Sequence, residues 1–447
     1  MMMKYMPISF LFLVLQFSVY AQNCGHNISG TKTLYQPQQK KLTPAPVGFE
    51  PVFVNHVGRH GARHLTKAVD ASFTWKMLIR ADSLNALTAK GKLLKQMAMK
   101  LQKVEQPNLK FISSEGEKEQ QQLGARMVDN YKAVFQHSGN IKITTTKEVR
   151  TEQSAKAFLE GAKIDSKSPK ISFENNNTDE LRFYDVAPAY SAFEENGDWQ
   201  KQILLLEEKN HIEQFNKNLA KKFFTKKFLT GIKTSEVNKF IDDIFGFASI
   251  VPSIETEIKA AGFVTADLDF YALFTCKELE TLNLMDTASD YLMKGPGTDN
   301  MGIQVIIAAP LLVDFLNTTQ NYIDKRSISA NLRFGHAETI GPFAALLGMK
   351  GASTSSKSIL NFQQVYQADK VIPLSSNIDW ILYGKNSSED YLIKFLLNEK
   401  EVHIQSLQTT TFPYYNWKDV RNFYLQKLKS LKVGLNDDMH QYLLNLK

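Results

Sequence analysis

The chain has 447 residues, of which 43% are hydrophobic and 22% are charged, and its formal net charge is +7. This length and apolar content exclude an intrinsically disordered chain and suggest two domains, or one large domain with an insertion. The basic surplus is compatible with a nucleic acid, an anionic surface or a small anionic substrate, and also with a protein that has no polyanionic partner.

The first 21 residues have the pattern of a secretory signal peptide. Lys4 stands in a segment without acidic residues, residues 8–20 are almost wholly apolar, and Val19-Tyr20-Ala21 suits a signal-peptidase site. The apolar run is shorter than the roughly 20 residues of a membrane span. We therefore expect cleavage after Ala21, export to the periplasm or beyond, and no membrane attachment afterwards. An uncleaved helix and a lipid anchor at Cys24 are the alternatives.

The chain has two cysteines, Cys24 and Cys276. This number excludes a disulfide-dense scaffold, and no pair of cysteines has the spacing of a zinc site. An exported protein could join the two in one disulfide, but the sequence leaves open whether their Cα atoms lie close enough.

The next predicted elements alternate between strand and helix. A buried strand over residues 51–57 precedes helices over 70–87, 89–101 and 115–131, a short strand over 140–144 and a helix over 152–159. From about residue 166 the pattern is mainly helical. Strands return over 327–334, 380–383 and 391–397, before a helix over 418–431. We predict an α/β core (24–165 and 290–447) with a central sheet flanked by helices, and an inserted, mainly α-helical domain (166–289).

The segment Arg59-His60-Gly61-Ala62-Arg63 directly follows the first predicted strand. The planar guanidinium groups of the two arginines suit phosphate or carboxylate oxygens, and an imidazole can act as nucleophile, acid or base. In open α/β sheets ligands bind beyond the carboxyl ends of the strands. The segment therefore predicts a site for one anion with His60 directed at it. The alternative is a surface turn whose arginines are solvated.

Two further segments occupy a similar position. Gly335-His336-Ala337-Glu338 follows a predicted strand and opens a predicted helix, where free N–H groups favour anions. His336 could hold an anion oxygen, and Glu338 could exchange a proton. Arg150 also lies between a strand and a helix. Taken alone, a His-Ala-Glu tripeptide is common by chance, and a single arginine is more often a capping or surface residue.

Together these segments resemble the branch-two histidine phosphatases, which include the histidine acid phosphatases and phytases. The closer likeness is to the multiple inositol polyphosphate phosphatases, which carry His-Ala-Glu where most acid phosphatases have His-Asp. Further similar segments are 149–158, 181–185, 396–400 and 415–420, so that the likeness runs from about residue 51 to 424. Leu65 departs from the family pattern, because many relatives have proline there.

The resemblance implies a histidine-phosphatase-like central sheet and a set of catalytic roles. His60 would attack phosphorus and become phosphohistidine, and Glu338 would protonate the leaving alcohol and then assist the attacking water. The phosphoryl oxygens would be held by Arg59, Arg63, Arg150 and His336. We expect no metal and no cofactor, because the arginines would supply the charge that Mg²⁺ supplies elsewhere.

A polyphosphate substrate requires cations beyond the catalytic set. We expect these contacts from His64, Lys67 and Arg182, whereas the lysines of the inserted helices are more typical of a solvated face. The predicted function is removal of phosphates from inositol hexakisphosphate and lower inositol phosphates. The alternatives are a broad-specificity acid phosphatase acting on sugar phosphates or phosphoglycerates, and a non-catalytic polyanion-binding protein. The sequence has no basic motif with interleaved aromatic residues, so we expect no nucleic-acid partner.

Overall fold

The computed structural model describes residue 24 and residues 29–39, 41–136, 139–385 and 389–447. The predicted signal peptide lies outside the described residues. The strands are β1 (Phe49–Arg59), β2 (Asn140–Thr145), β3 (Ile171–Glu174), β4 (Ile328–Gly335), β5 (Asn377–Lys385), β6 (Tyr391–Leu397), β7 (Lys400–Glu401) and β8 (Tyr414–Asn416).

The helices of the first half are α1 (Phe73–Ser83), α2 (Ala89–Glu105), α3 (Ser114–Asn130), α4 (Lys132–Gln136), α5 (Val149–Gly161), α6 (Phe183–Val186), α7 (Pro188–Asn196), α8 (Trp199–Lys209) and α9 (Ile212–Ala220). Those of the second half are α10 (Lys226–Leu229), α11 (Thr234–Ile250), α12 (Glu255–Ala260), α13 (Cys276–Lys294), α14 (Ile303–Ile306), α15 (Ala309–Lys325), α16 (Ala337–Leu347), α17 (Ala368–Val371), α18 (Trp417–Ser430) and α19 (Met439–Asn445). The predicted strands and helices named above correspond to β1, β2, β4, β5, β6, α1, α2, α3, α5 and α18, with ends that differ by a few residues.

Local chemistry explains where the first helices begin. Ser72, Thr88 and Ser113 precede α1, α2 and α3, and each side chain accepts a hydrogen bond from a backbone N–H of the first turn. These bonds satisfy donors that have no partner within the helix.

The strands form one mixed sheet in the order β3-β2-β4-β1-β5-β6-β7, with β8 paired to β6. β1 and β2 both run parallel to β4, and Arg59 is in register with Gly335. The carboxyl ends of β1, β2 and β4 therefore meet at one edge of the sheet. This arrangement places the three predicted anion-binding segments side by side.

Apolar side chains cover both faces of the sheet. Along β1, Phe53 and Val57 join a large cluster that includes residues of α15, α16 and α18, whereas Val54 joins a cluster with residues of α3 and α5. This alternation follows from the two-residue period of a strand. The structure therefore confirms the predicted fold class, an α/β fold with a central sheet between helices.

The apolar packing differs from the predicted division into core and insertion. β3 lies within the predicted insertion, 166–289, yet it pairs with β2 in the central sheet, and Leu181 and Leu206 join the large cluster. Conversely, α1 and α2 of the predicted core pack with α11 and the first half of α13 in a third cluster. The helical layer therefore combines two separate chain segments, because the apolar stripes of α1 and α2 need helical partners.

Two further features connect distant parts of the chain. Cys24 and Cys276 form a disulfide with Cα atoms 5.3 Å apart, which joins the N-terminal lead-in to the start of α13. The segment Ile303–Lys325 is long and apolar enough to cross a membrane, but 67% of its apolar window is buried in the protein. Phe315 and Leu316 of this segment belong to the large cluster, which identifies it as a core helix.

Candidate active site

The two predicted histidines meet at the ends of β1 and β4. The backbone N–H of His60 donates to the carbonyl of Gly335 over 3.0 Å, and the ring centroids of His60 and His336 are 5.5 Å apart. Arg150 joins them because α5 begins soon after the neighbouring strand β2 ends.

The structure holds the imidazole of His60 in one tautomer. Its Nδ1 lies 2.9 Å from the carbonyl oxygen of Gly61, and since a carbonyl only accepts hydrogen bonds, Nδ1 carries the proton. The lone pair is then on Nε2. Burial lowers the pKa of His60 well below its usual value, and Arg59, Arg150, His336 and Arg63 lower it further. These effects favour the uncharged imidazole.

The second turn of α3 holds the backbone around His60. Glu119 accepts hydrogen bonds from the N–H of Ala62 at 2.9 Å and from the hydroxyl of Ser375 at 2.7 Å. Gln120 donates to the carbonyl of Arg59 at 3.0 Å. Sequence analysis missed both side chains, because their partners on the segment 59–65 at the end of β1, named the catalytic loop below, are brought near only by folding.

The two arginines of the loop lie in a crowded cationic environment. Arg59 is 5% exposed, and its Nη1 donates to the carbonyls of Thr31 and Ile372 at 2.6 and 2.7 Å. Arg63 donates to the carbonyl of His64 at 2.8 Å. Burial, together with the charges of Arg59 and Arg150, lowers the pKa of Arg63 to about 10. Such a site favours a bound anion, which would relieve the repulsion between cations.

His336 lies between two further arginines. Its Nε2 is 3.2 Å from Nη1 of Arg182 and 3.0 Å from the hydroxyl of Thr146. A guanidinium only donates, and a neutral ring can accept at only one of its nitrogens, so the shorter contact makes Nε2 the acceptor and leaves the proton on Nδ1. Nη2 of Arg150 is 3.4 Å from that Nδ1. Burial and the charge of Arg150 lower the pKa of His336 well below its usual value. The Nδ1–H of His336 and Nη2 of Arg150 can therefore donate to the same anion.

Glu148 and Lys294 were not predicted as site residues, although each contacts one. Glu148 accepts from Nη1 of Arg150 at 2.7 Å, and its other oxygen is 3.7 Å from Arg182. Nζ of Lys294 is 3.1 Å from Oε1 of Glu338. Burial would raise the pKa of Glu338, but the charge of Lys294 outweighs it and holds that pKa well below its usual range.

An open cleft of about 700 Å³ lies beside His336 and Glu338, whereas the buried His60, Arg59 and Arg63 are not among its lining residues. It is lined by Lys147, Arg150, Arg182, Tyr184, Asp185, Ser191, Glu194, His336 and Glu338. Of the three predicted substrate-contacting residues, Arg182 lies here, next to His336. Among the described residues, no group of three His, Cys, Asp or Glu side chains lies close enough to hold a metal ion.

His64 and Lys67 do not line this cleft. His64 is 2% exposed and lies between two carboxylates of the helical layer, with Nδ1 3.4 Å from Glu105 and Nε2 3.8 Å from Glu257. Its geometry indicates a structural contact between the catalytic loop and that layer. Lys67 is exposed, and its contact with a substrate stays a prediction.

Comparison with known proteins agrees with this geometry. The curated relatives include Multiple inositol polyphosphate phosphatase 1 of Gallus gallus, which is 21% identical over 434 residues and 90% of each chain. The Homo sapiens protein of the same name is 23% identical over 357 residues, covering 72% of this chain and 67% of its own.

Solved structures share the fold. A Bifidobacterium longum multiple inositol polyphosphate phosphatase in complex with inositol hexasulfate has a TM-score of 0.76 at 20% identity, and the match covers 90% of this chain and 97% of that one. The phytase of D. castellii has a TM-score of 0.64 at 15% identity, covering 90% and 84%. The family model of the histidine phosphatase superfamily (branch 2) matches residues 52–398. The chain therefore belongs to branch 2 of the histidine phosphatase superfamily, as the sequence predicted.

Proposed function

We propose that this protein is a phosphomonoester hydrolase that removes phosphates from inositol hexakisphosphate and lower inositol phosphates through a phosphohistidine intermediate. The observation that carries the proposal is a neutral His60 with a free Nε2, packed against His336 and enclosed by cations. A neutral nucleophile within a cluster of fixed donors suits attack on a phosphoryl group.

The chemistry divides into two steps. In the first, Nε2 of His60 forms a bond to phosphorus while the ester P–O bond breaks, and protonated Glu338 gives its proton to the leaving oxygen. Arg59, Arg63, Arg150 and His336 stabilise the charge on the other three oxygens. In the second, water attacks phosphorus and gives a proton to the Glu338 carboxylate. The N–P bond breaks, so that phosphate leaves and His60 is neutral again.

The cleft and the relatives support the substrate class. A volume of about 700 Å³ lies within the range of about 300–1,000 Å³ that small-molecule sites occupy. Lys147 and Arg182 add cationic donors outside the loop of His60. The relatives from Gallus gallus and Homo sapiens are named for inositol polyphosphates, and the Bifidobacterium longum protein binds inositol hexasulfate.

One observation favours the broader alternative, a phosphatase acting on sugar phosphates or phosphoglycerates. Asp185, Glu194 and Glu338 line the same cleft as Lys147, Arg150 and Arg182. These carboxylates reduce the cationic surplus and could accept hydrogen bonds from free hydroxyl groups. A non-catalytic polyanion-binding protein is less well supported, since binding alone needs neither a free Nε2 nor a proton donor.

The direct test uses His60→Ala with inositol hexakisphosphate. We expect phosphate release to fall by about 10³-fold or more, because the nucleophile is lost. His440→Ala is the matched control, because His440 is an exposed histidine paired only with the surface residue Asp179. A quench in base should trap phosphohistidine in the wild type and not in His60→Ala. Equal phosphate release by the wild type and His60→Ala would refute the mechanism.

We also propose that the protein acts outside the cytoplasm. The signal-like pattern of residues 1–21 supports export. The Cys24–Cys276 disulfide also supports it, because such bonds persist mainly in oxidising compartments.

A further inference from the structure

Lys294 contacts the proposed proton donor directly. It is the last residue of α13, and its Nζ is 3.1 Å from Oε1 of Glu338 and 2.8 Å from Oδ1 of Asp290. The Lys294 side chain is 19% exposed and that of Asp290 is 10% exposed. The cation therefore contacts two carboxylates, of which that of Asp290 is nearly buried and that of Glu338 is 32% exposed.

Close packing of two helices fixes this contact. Gly341 lies one turn after Glu338 on α16, and a Cβ at this position would be 2.3 Å from the carbonyl oxygen of Lys294. Only glycine permits the end of α13 to approach α16 so closely. The backbone of Lys294 thus packs directly against α16, the helix that carries Glu338. This close packing keeps the two charged side chains near each other.

The surrounding charges act on the two groups in different ways. Glu338 is under the influence of Lys294, His336, Arg59, Arg63, Glu194, Tyr184 and Tyr190. Lys294 is under the influence of Asp290, Glu338, Asp286, Glu194, Tyr190 and Tyr366. In the described part of the chain, Glu338 forms its direct ion pair with Lys294.

We propose that Lys294 is a positioning residue that orients Glu338 and sets the pH range in which Glu338 carries the proton for the leaving alcohol. Asp290 has the opposite effect, because its negative charge partly neutralises that of Lys294 and so weakens the attraction between Lys294 and Glu338. This inference rests on the proposed function, and it adds a control of the proton donor.

The two chemical steps make opposite demands on Glu338. Bond cleavage needs a protonated carboxyl, whereas attack by water needs a carboxylate. A cation at 3.1 Å favours the carboxylate. A bound phosphate group brings negative charge into the cleft and offsets Lys294, so that Glu338 takes up its proton when substrate arrives. Lys294 thus couples protonation of the acid to occupation of the site.

The test compares the pH dependence of kcat, which reports the groups of the enzyme–substrate complex, for two monoesters. Glycerol 2-phosphate has a poor alkoxide leaving group that needs a proton, whereas 4-nitrophenyl phosphate has a good leaving group that departs without one. Lys294→Met removes the cation and raises the pKa of Glu338. We expect the alkaline limb for glycerol 2-phosphate to move up by about 1–3 pH units, as loss of a neighbouring charge predicts. The limb for 4-nitrophenyl phosphate should not move.

Two further variants separate charge from packing. Lys294→Arg keeps a cation and should restore the wild-type position of the limb. Asp290→Asn leaves the charge of Lys294 to Glu338 alone, so the limb should move to lower pH, opposite to Lys294→Met. Loosened packing cannot produce shifts of opposite sign.

Lys222→Met is the matched control. Lys222 lies between α9 and α10, and its Nζ pairs at 2.6 Å with Glu278 in the first turn of α13. Its side chain is 24% exposed, similar to that of Lys294. Because this pair is at the other end of α13, its loss should not shift the limb.

The inference is overturned if the glycerol 2-phosphate limb lies at the same pH in the wild type and in Lys294→Met. Equal losses on both esters without a shift would have the same meaning. If Lys294→Met does not fold, Asp290→Asn decides, since an unmoved limb there also contradicts the proposal. A wild type that hydrolyses both monoesters but not inositol hexakisphosphate contradicts only the proposed substrate. A wild type inactive on all three overturns both proposals.

Discussion

At the scale of single residues, Arg182 shows how the fold decides which groups a side chain contacts. The sequence predicted a substrate contact near the inserted helices. The structure places its Nη1 3.2 Å from Nε2 of His336, its Nε 2.6 Å from Asp185 and its guanidinium 5.3 Å from the ring centre of Tyr184. Arg182 is therefore a fixed donor at the cleft, directly beside His336.

Arg182→Ala should lower kcat/KM for inositol hexakisphosphate by about 10²-fold, in line with the loss of one preorganised donor. The loss for 4-nitrophenyl phosphate should be smaller, because that substrate has no neighbouring phosphates. Arg80→Ala, at an exposed arginine, is the control and should leave both values unchanged. Equal losses on both substrates would mean that Arg182 contacts the reacting phosphate alone.

At the scale of elements, the catalytic loop depends on close contact between β1 and α3. A Cβ on Gly116, in the first turn of α3, would lie 2.0 Å from the carbonyl oxygen of Ala62. A Cβ on Gly61 would lie 2.6 Å from the carbonyl oxygen of Gly116. Two glycines therefore let the loop rest on the helix, and Glu119 then binds the N–H of Ala62.

Gly116→Ala should push the loop off α3 and displace His60. We expect kcat/KM to fall at least tenfold and the free energy of unfolding to fall by about 1–3 kcal/mol, as in other overpacked sites. Gly246→Ala is the control, because Gly246 lies in α11 with no atom within 4 Å of an added Cβ. That variant should gain about 0.4–1 kcal/mol in urea unfolding and keep its activity. Unchanged activity in Gly116→Ala would show that the loop tolerates displacement.

At the scale of the whole molecule, the N-terminal lead-in connects the helical layer to the catalytic loop. The disulfide ties Cys24 to the first residue of α13. A few residues later the carbonyl of Thr31 accepts from Arg59, and the carbonyl of Thr33 accepts from the N–H of Leu374. The segment that follows the disulfide along the chain thus supplies a backbone acceptor for Arg59.

Cys276→Ser should lower the free energy of unfolding by about 2–5 kcal/mol, the usual cost of losing a native disulfide. Thermal unfolding checks this with and without a reductant. The reductant should lower the Tm of the wild type to that of the variant and leave the variant unchanged. A wild-type Tm that does not respond to full reduction would exclude a stabilising role for this bond.

The sequence by itself determined the central elements and the family, and it predicted the chemistry of the site. Strand and helix patterns are local, so β1, β2, β4 and the helices beside them could be placed within a few residues. His60, Arg63, His336 and Glu338 could be found because each lies in a short segment whose residue types suit phosphoryl transfer. Parallel strands then bring such segments to one edge of the sheet.

Only the tertiary structure decided which groups surround that chemistry. It enclosed His64 between Glu105 and Glu257, placed β3 in the sheet, and set Lys294 against Glu338. These pairs join parts of the chain that lie far apart, as Arg182 and His336 do at a separation of 154 residues. A local pattern records what a side chain can do, whereas its partners depend on how distant helices and strands pack.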